Sequence, residues 1–221
     1  MAPLFLPIEF VRNVVTIEAN KQLRYSVDLV FATNNAHKLS EVRAIAGARF
    51  FIISLKELGC FDEIPETGTT LKENALQKVQ YIYDRFQNNC FADDTGLEIE
   101  ALDGKPGVYS ARYAGDHCSF QDNVRKVLHE LQDATNRKAC FKTVIALILN
   151  GENYFFEGKI DGEIVEHEKG TQGFGYDPIF KPLGYNKTFA EMTETEKNSI
   201  SHRALAMKEL NEFLQTCNIS K

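Results

Sequence analysis

Two apolar segments, Ala139–Leu149 and Tyr154–Val165, have Asn150-Gly151 as the turn signal between them. Asn-Gly tolerates the left-handed backbone of a tight turn, so the pair reads as one long antiparallel hairpin. A hairpin of that length is a sheet's spine, and the remaining segments must pack around it. Before it, Val27–Thr33 reads as a buried strand, with Asn34 and Asn35 as turn and cap. Leu39, Val42, Ile45 and Ala46 then recur at helical spacing, with Gly47 as the stop. Phe50–Ser54 reads as a second strand, and Thr70-x-x-Glu73 as a capping box. Leu71, Ala75, Val79, Ile82 and Phe86 mark one face of a long helix. Cys90–Ala92 is a short strand ending at Asp93-Asp94-Thr95-Gly96, and Leu97–Leu102 continues extended. Helices are predicted over Ser119–Leu131 and from about Ser199 to Leu214. Alternating strands and helices plus one hairpin imply a mixed α/β domain.

Composition narrows the function. With 221 residues, 43% of them hydrophobic, the chain can bury one sizeable core. Its net charge of −6 offers no basic excess for a nucleic-acid backbone. The 5 cysteines are scattered, which argues against a disulfide framework and a CxxC zinc site, and fits a reducing cytoplasm. No apolar stretch reaches bilayer length, so no membrane partner is expected. The N-terminus lacks a basic region and a long apolar run, so no signal peptide is read there. Residues 1–25 read as an N-terminal extension of undecided structure, and 26–221 as the functional domain.

Several segments carry chemistry. Thr33-Asn34-Asn35-Ala36-His37-Lys38 lies where a strand passes into a helix, a place that favours an anion. A plain Asn cap followed by a solvated lysine is the bland alternative. Asp93-Asp94 follows a buried strand; two acids there are costly without a cation nearby. They suit magnesium, which prefers carboxylate and phosphate oxygens, or the activation of a water. An Asx turn is their bland alternative. Glu66 and Glu73 are candidate partners for the same metal, although Glu73 also completes the capping box. Asn74 and Lys78 lie one turn apart on the long helix and can face a phosphate. In Gly173-Phe174-Gly175-Tyr176-Asp177-Pro178, Phe174 can stack on a base and Asp177 can accept from ring N–H groups; a tight turn with core aromatics competes. Lys197, His202 and Arg203 open the last helix, with Ser199 or Ser201 as cap. Cations oppose the dipole there, which points to a functional role.

Taken together these segments resemble the inosine triphosphate pyrophosphatase family. The match includes Thr33–Lys38, Glu66–Gly68, Glu73–Ala75, Phe91–Leu97, Pro106–Tyr113, Gly173–Phe180 and Glu196–Arg203, in the family's order. Some relatives carry two adjacent acids where this chain has Pro65-Glu66.

The resemblance implies an elongated mixed sheet flanked by helices, with two lobes around a nucleotide-binding cleft, and a homodimer. It implies hydrolysis of non-standard purine triphosphates (ITP, dITP, XTP) to monophosphate and pyrophosphate. Asp94 would activate water and, with Glu66, bind Mg2+; Asp93 would support the pair. Thr33, Asn34, Asn35, Lys38 and Lys78 would hold the triphosphate, and Thr95 would contact the nucleotide. Phe174 would stack on the base in a pocket completed by Gly175, Tyr176, Asp177, Lys197, His202 and Arg203. The competing readings are a Maf-like pyrophosphatase with another base preference, and a nucleotide sensor without turnover.

Overall fold

The computed structural model describes residues 28–46 and 50–217. The extension at 1–25, the Val27 end of the first strand and the Gly47 helix stop lie outside the described residues.

Seven strands form one curled sheet. Along it β2 (Phe51–Ser54), β1 (Asp28–Phe31), β3 (Cys90–Ile99), β5 (Lys138–Leu149), β6 (Glu152–Ile164) and β7 (Phe180–Pro182) are neighbours in that order. The two-residue β4 (Pro106–Gly107) pairs with β3. β1 pairs in parallel with β2 and β3, and the other pairings are antiparallel. The hairpin turns at Asn150 and Gly151, both at positive φ, as the Asn-Gly signal predicts.

The central strand β5 is buried almost throughout because both of its faces meet a core. Ile145, Leu147 and Leu149 pack with β1, α1 (Ala36–Ala46) and α6 (His202–Thr216). The alternate residues Ala146 and Ile148 face Ala75, Val79 and Ile82 of α3 (Leu71–Phe86). Thr70 and Glu73 close a reciprocal capping box at the start of α3. Farther along the sheet, Leu97, Ile99 and Phe141 form a third core with α4 (Phe120–Glu130) and the chain around Ile179–Phe189. The cleft opens beside the last two cores, lined by Ala32 from the second and by Phe141 and Tyr176 from the third.

Two expectations are corrected. Asp93-Asp94-Thr95-Gly96 does not end a short strand: β3 runs on through it to Ile99, with Asp93 opposite Ile145 and Asp94 opposite Val144. The partner strand β5 supplies ladder bonds across the whole stretch, and that outweighs the turn propensity of the acids. Nor does Lys197 open the last helix. It sits in the last turn of a separate short helix, α5 (Glu194–Ile200), where the dipole favours a cation. Ser201 then caps α6, accepting from Ala204 N at 3.2 Å.

Candidate active site

Side chains alternate along a strand, so neighbours on β3 face opposite sides of the sheet. Phe91 belongs to the α1/α6 core and Ala92 to the α3 core, and the next two residues keep that alternation. Asp93 meets Lys38 Nζ at 3.1 Å and accepts from Arg203 Nε at 3.0 Å. Asp94 faces α3. It accepts from Asn74 Nδ2 at 3.1 Å and lies 3.5 Å from Lys78 Nζ, which in turn meets Glu66 at 2.6 Å. Glu73 is corrected as a metal partner: its carboxylate is exposed and taken up by Thr69 and Thr70.

From Asp93 a chain of buried charges runs toward the other end of the cleft. Arg203 donates to Glu41, Glu41 accepts from Lys197 Nζ at 2.6 Å, and Lys197 also meets Asp177 at 2.6 Å. The same Asp177 carboxylate accepts from Phe174 N at 2.8 Å and so fixes the aromatic loop. Gly173 is required there: at φ +75° a Cβ would lie 2.0 Å from Asp177 Oδ2. Gly158 on β6 does the same for α6, because a Cβ would lie 1.9 Å from the His202 carbonyl oxygen. The start of α6, with His202 and Arg203, is thereby seated directly against the sheet. His202 is buried and stacks on Phe141 at 4.5 Å.

At the start of α1, Asn35 Oδ1 accepts from both His37 N and Lys38 N, so two of the first amides are taken up by the cap. Thr33 Oγ1 accepts from Asn35 N, and Asn34 Nδ2 donates to the Asp62 carbonyl. The cap supplies order, and the positive charge facing the cleft is that of Lys38. Tyr176 is buried and donates to the Ser110 carbonyl at 2.8 Å.

One cleft of about 540 Å³ is lined by most of the residues singled out for a site: Thr33, Asn34, Asn35, Lys38, Glu66, Lys78, Asp94, Thr95, Phe174, Gly175, Tyr176, Asp177, Lys197, His202 and Arg203, while Asp93, Glu73 and Asn74 do not line it. Arg112 also lines it and was not anticipated. Glu41 was missed too. It follows Lys38 by three positions on an amphipathic helix, where an acid reads as solvated, and its partners lie 156 and 162 residues away.

The cleft's charges are strongly perturbed. Burial pushes the Asp93 carboxyl up, but Lys38, Arg203 and Lys78 together hold it far below the ordinary range. Asp94 moves the other way: burial raises it, Lys78 and Lys38 oppose this, and Glu66 adds to the rise. Burial opposes ionisation of Glu41 as well, yet Arg203 and Lys197 lower it. Burial, Arg203 and Lys197 all keep His202 neutral.

Residues 29–213 match the Ham1 family, a span that includes every residue of the cleft. The chain belongs to the Ham1 family. Among its Ham1 relatives, the protein named dITP/XTP pyrophosphatase from Porphyromonas gingivalis is 54% identical over 187 residues, covering 84% of this chain and 96% of the relative. The protein of that name from Leuconostoc mesenteroides is 49% identical, over 84% of this chain and 96% of its own length. The solved Ham1 protein of Staphylococcus aureus superposes with a TM-score of 0.77 at 39% identity, covering 85% of this chain and 98% of that one. The Coxiella burnetii HAM1 protein gives 0.79 at 36% identity, covering 86% and 100%.

The Ham1 cleft can be tested for magnesium by its donors. Glu66 and Asp94 converge on one cation, the Lys78 ammonium, at 2.6 and 3.5 Å. Among the described residues no cluster of three or more His, Cys, Asp or Glu is arranged for a metal. Two carboxylates with no closed protein cage fit an ion that completes its shell with phosphate oxygens and water.

Proposed function

We propose that this chain hydrolyses non-standard purine nucleoside triphosphates, ITP, dITP and XTP, to the monophosphate and pyrophosphate, and so cleanses the nucleotide pool. The observation that carries the reading is the cleft's polarity. Asp94, Glu66 and Lys78 form one cluster, Phe174 lies beside Lys197 and Arg203, and Lys38 and Arg203 meet at Asp93 between them. The distribution matches a polyphosphate joined to a planar base. The name dITP/XTP pyrophosphatase borne by its relatives supports the same assignment.

Asp94, raised toward neutrality by burial, orients or deprotonates a water for attack at the α-phosphorus. Lys38 and Lys78 stabilise negative charge on the phosphate oxygens, with Thr33, Asn34 and Asn35 shaping that end. Bound through Glu66 and Asp94, Mg2+ would polarise the phosphate and favour hydroxide over water. Thr95, linked to Arg203 at 3.2 Å, borders the nucleotide. Phe174 stacks on the base, with Gly175, Tyr176, Asp177 and His202 completing the pocket.

Arg203 carries five N–H groups and Lys197 three, so each keeps a donor beyond those given to carboxylates. A 6-keto oxygen satisfies these donors, and the 6-amino group of adenine does not. Such a mismatch costs about 1–3 kcal/mol, or one to two decades in preference. The chain is further proposed to act as a cytoplasmic homodimer; among the described residues no helix is long and apolar enough to cross a membrane.

The test is pyrophosphate release from ITP, dITP, XTP, GTP and ATP, with and without magnesium. We expect magnesium-dependent release from the first three at least about tenfold faster than from ATP. Tight binding without release from any nucleotide would instead favour a sensor.

A further inference from the structure

We infer that His37 is a positioning residue for base recognition, bracing the Phe174 ring by stacking on it. The inference rests on the pyrophosphatase reading and deepens it. The Phe174 ring has two kinds of neighbour. Lys197 Nζ and Arg203 Cζ lie 5.1 and 5.8 Å from its centroid, and both residues line the cleft. The His37 imidazole stacks on the same ring at 5.1 Å with planes 16° apart, yet His37 is exposed and is not part of the cleft lining. The ring is therefore contacted by an exposed imidazole outside the cleft lining and by two cations that line the cleft. Phe120, the first residue of α4, closes the group at 5.9 Å from Phe174 and edge-on to His37 at 6.2 Å.

The support is needed because of the backbone. Phe174 stands between two glycines at positive φ, and Asp177 fixes its amide but not its ring. His37 comes from a firmer base. Asn35 Oδ1 accepts from His37 N at 2.9 Å and from Lys38 N at 3.1 Å. One capped turn thus presents Lys38 to the cleft and His37 to the stacking ring. A ring already ordered gives up less freedom when a base settles on it, so the brace acts on binding and not on bond cleavage.

The test compares His37→Ala and His37→Phe with the unaltered chain in ITP hydrolysis. An aromatic pair of this kind corresponds to about a two- to tenfold change in an equilibrium constant. His37→Ala should raise KM by that factor while kcat and inhibition by inorganic pyrophosphate stay unchanged, and His37→Phe should restore KM. Unchanged KM, a fall confined to kcat, weaker pyrophosphate inhibition or failed rescue by phenylalanine would each overturn the inference. The chain has no tryptophan, so F174W gives a fluorescence reporter at the ring. Adding H37A to F174W should change its emission and lower its anisotropy; identical spectra would count against the contact. If the unaltered chain releases no pyrophosphate from any nucleotide, the pyrophosphatase reading fails instead, and the fluorescence pair decides the contact alone.

Discussion

Asp93 and Asp94 are adjacent on β3, yet the fold drives their carboxyls in opposite directions. Asp93 is paired with Lys38 and Arg203 and stays ionised, while Asp94, buried beside Glu66, is raised. Carboxyls pushed apart by their surroundings suit different roles: one is a fixed structural charge, the other an acceptor of protons.

Asp94→Asn should therefore lower turnover by at least about a hundredfold while leaving the fold intact. Asparagine keeps the shape but cannot take a proton. Pyrophosphate release and circular dichroism check the two halves, and near-normal activity would remove Asp94 from the mechanism.

Glu66→Gln should raise the magnesium concentration needed for half-maximal activity by about tenfold, with a smaller effect at saturating magnesium. The substitution removes one of the two carboxylates that converge at Lys78. A magnesium titration of initial rates decides it, and an unshifted midpoint assigns the ion elsewhere.

Glu41→Gln should destabilise the chain by about 3 kcal/mol, because Lys197 and Arg203 lose their shared buried counter-ion. The ITP-to-ATP preference should fall with it, as the two donors are no longer aimed. Urea unfolding and the nucleotide panel are the measurements; loss of stability with unchanged preference would leave Glu41 structural only.

Acidification should cost stability from below about pH 6.5, where an unfolded histidine begins to protonate. The folded His202 value is depressed, so its contribution is present above the unfolded value and is lost as pH falls. Asp93, depressed as well, adds a second loss below about pH 4. Melting at pH 8, 6 and 5 should show the decline, and His202→Gln should flatten it between pH 6.5 and 5. An equally steep decline in the variant would place the titrating group elsewhere.

Gly158→Ala should cost about 1–3 kcal/mol, since its Cβ would overlap the His202 carbonyl oxygen and force α6 off the sheet. Thermal melting reads the loss, and ITP binding should weaken with it. A neutral result would mean that α6 is not seated by this contact.

Local chemistry was legible without coordinates. The Asn150-Gly151 turn, the Thr70–Glu73 box and the amphipathic face of α3 each depend on residues within a few positions of one another, so their partners are visible in the chain. The ordered motifs likewise contained many of the residues that line the cleft. The reach of β3 through two acids was not legible. It depends on a strand about 50 residues later, against a local preference for turning. The role of Glu41 was hidden for the same reason: an acid on a helix looks solvated until the helix that covers it is placed.

The amino-acid order alone made most of the strands and helices legible, with several of their caps and the residue types available to a nucleotide. Tertiary packing alone decided which of the two carboxyls is lowered by its neighbours and which is raised, and which cations already hold a partner. Charge interactions fall off with separation in space and strengthen with loss of water, and neither quantity exists until the three cores form.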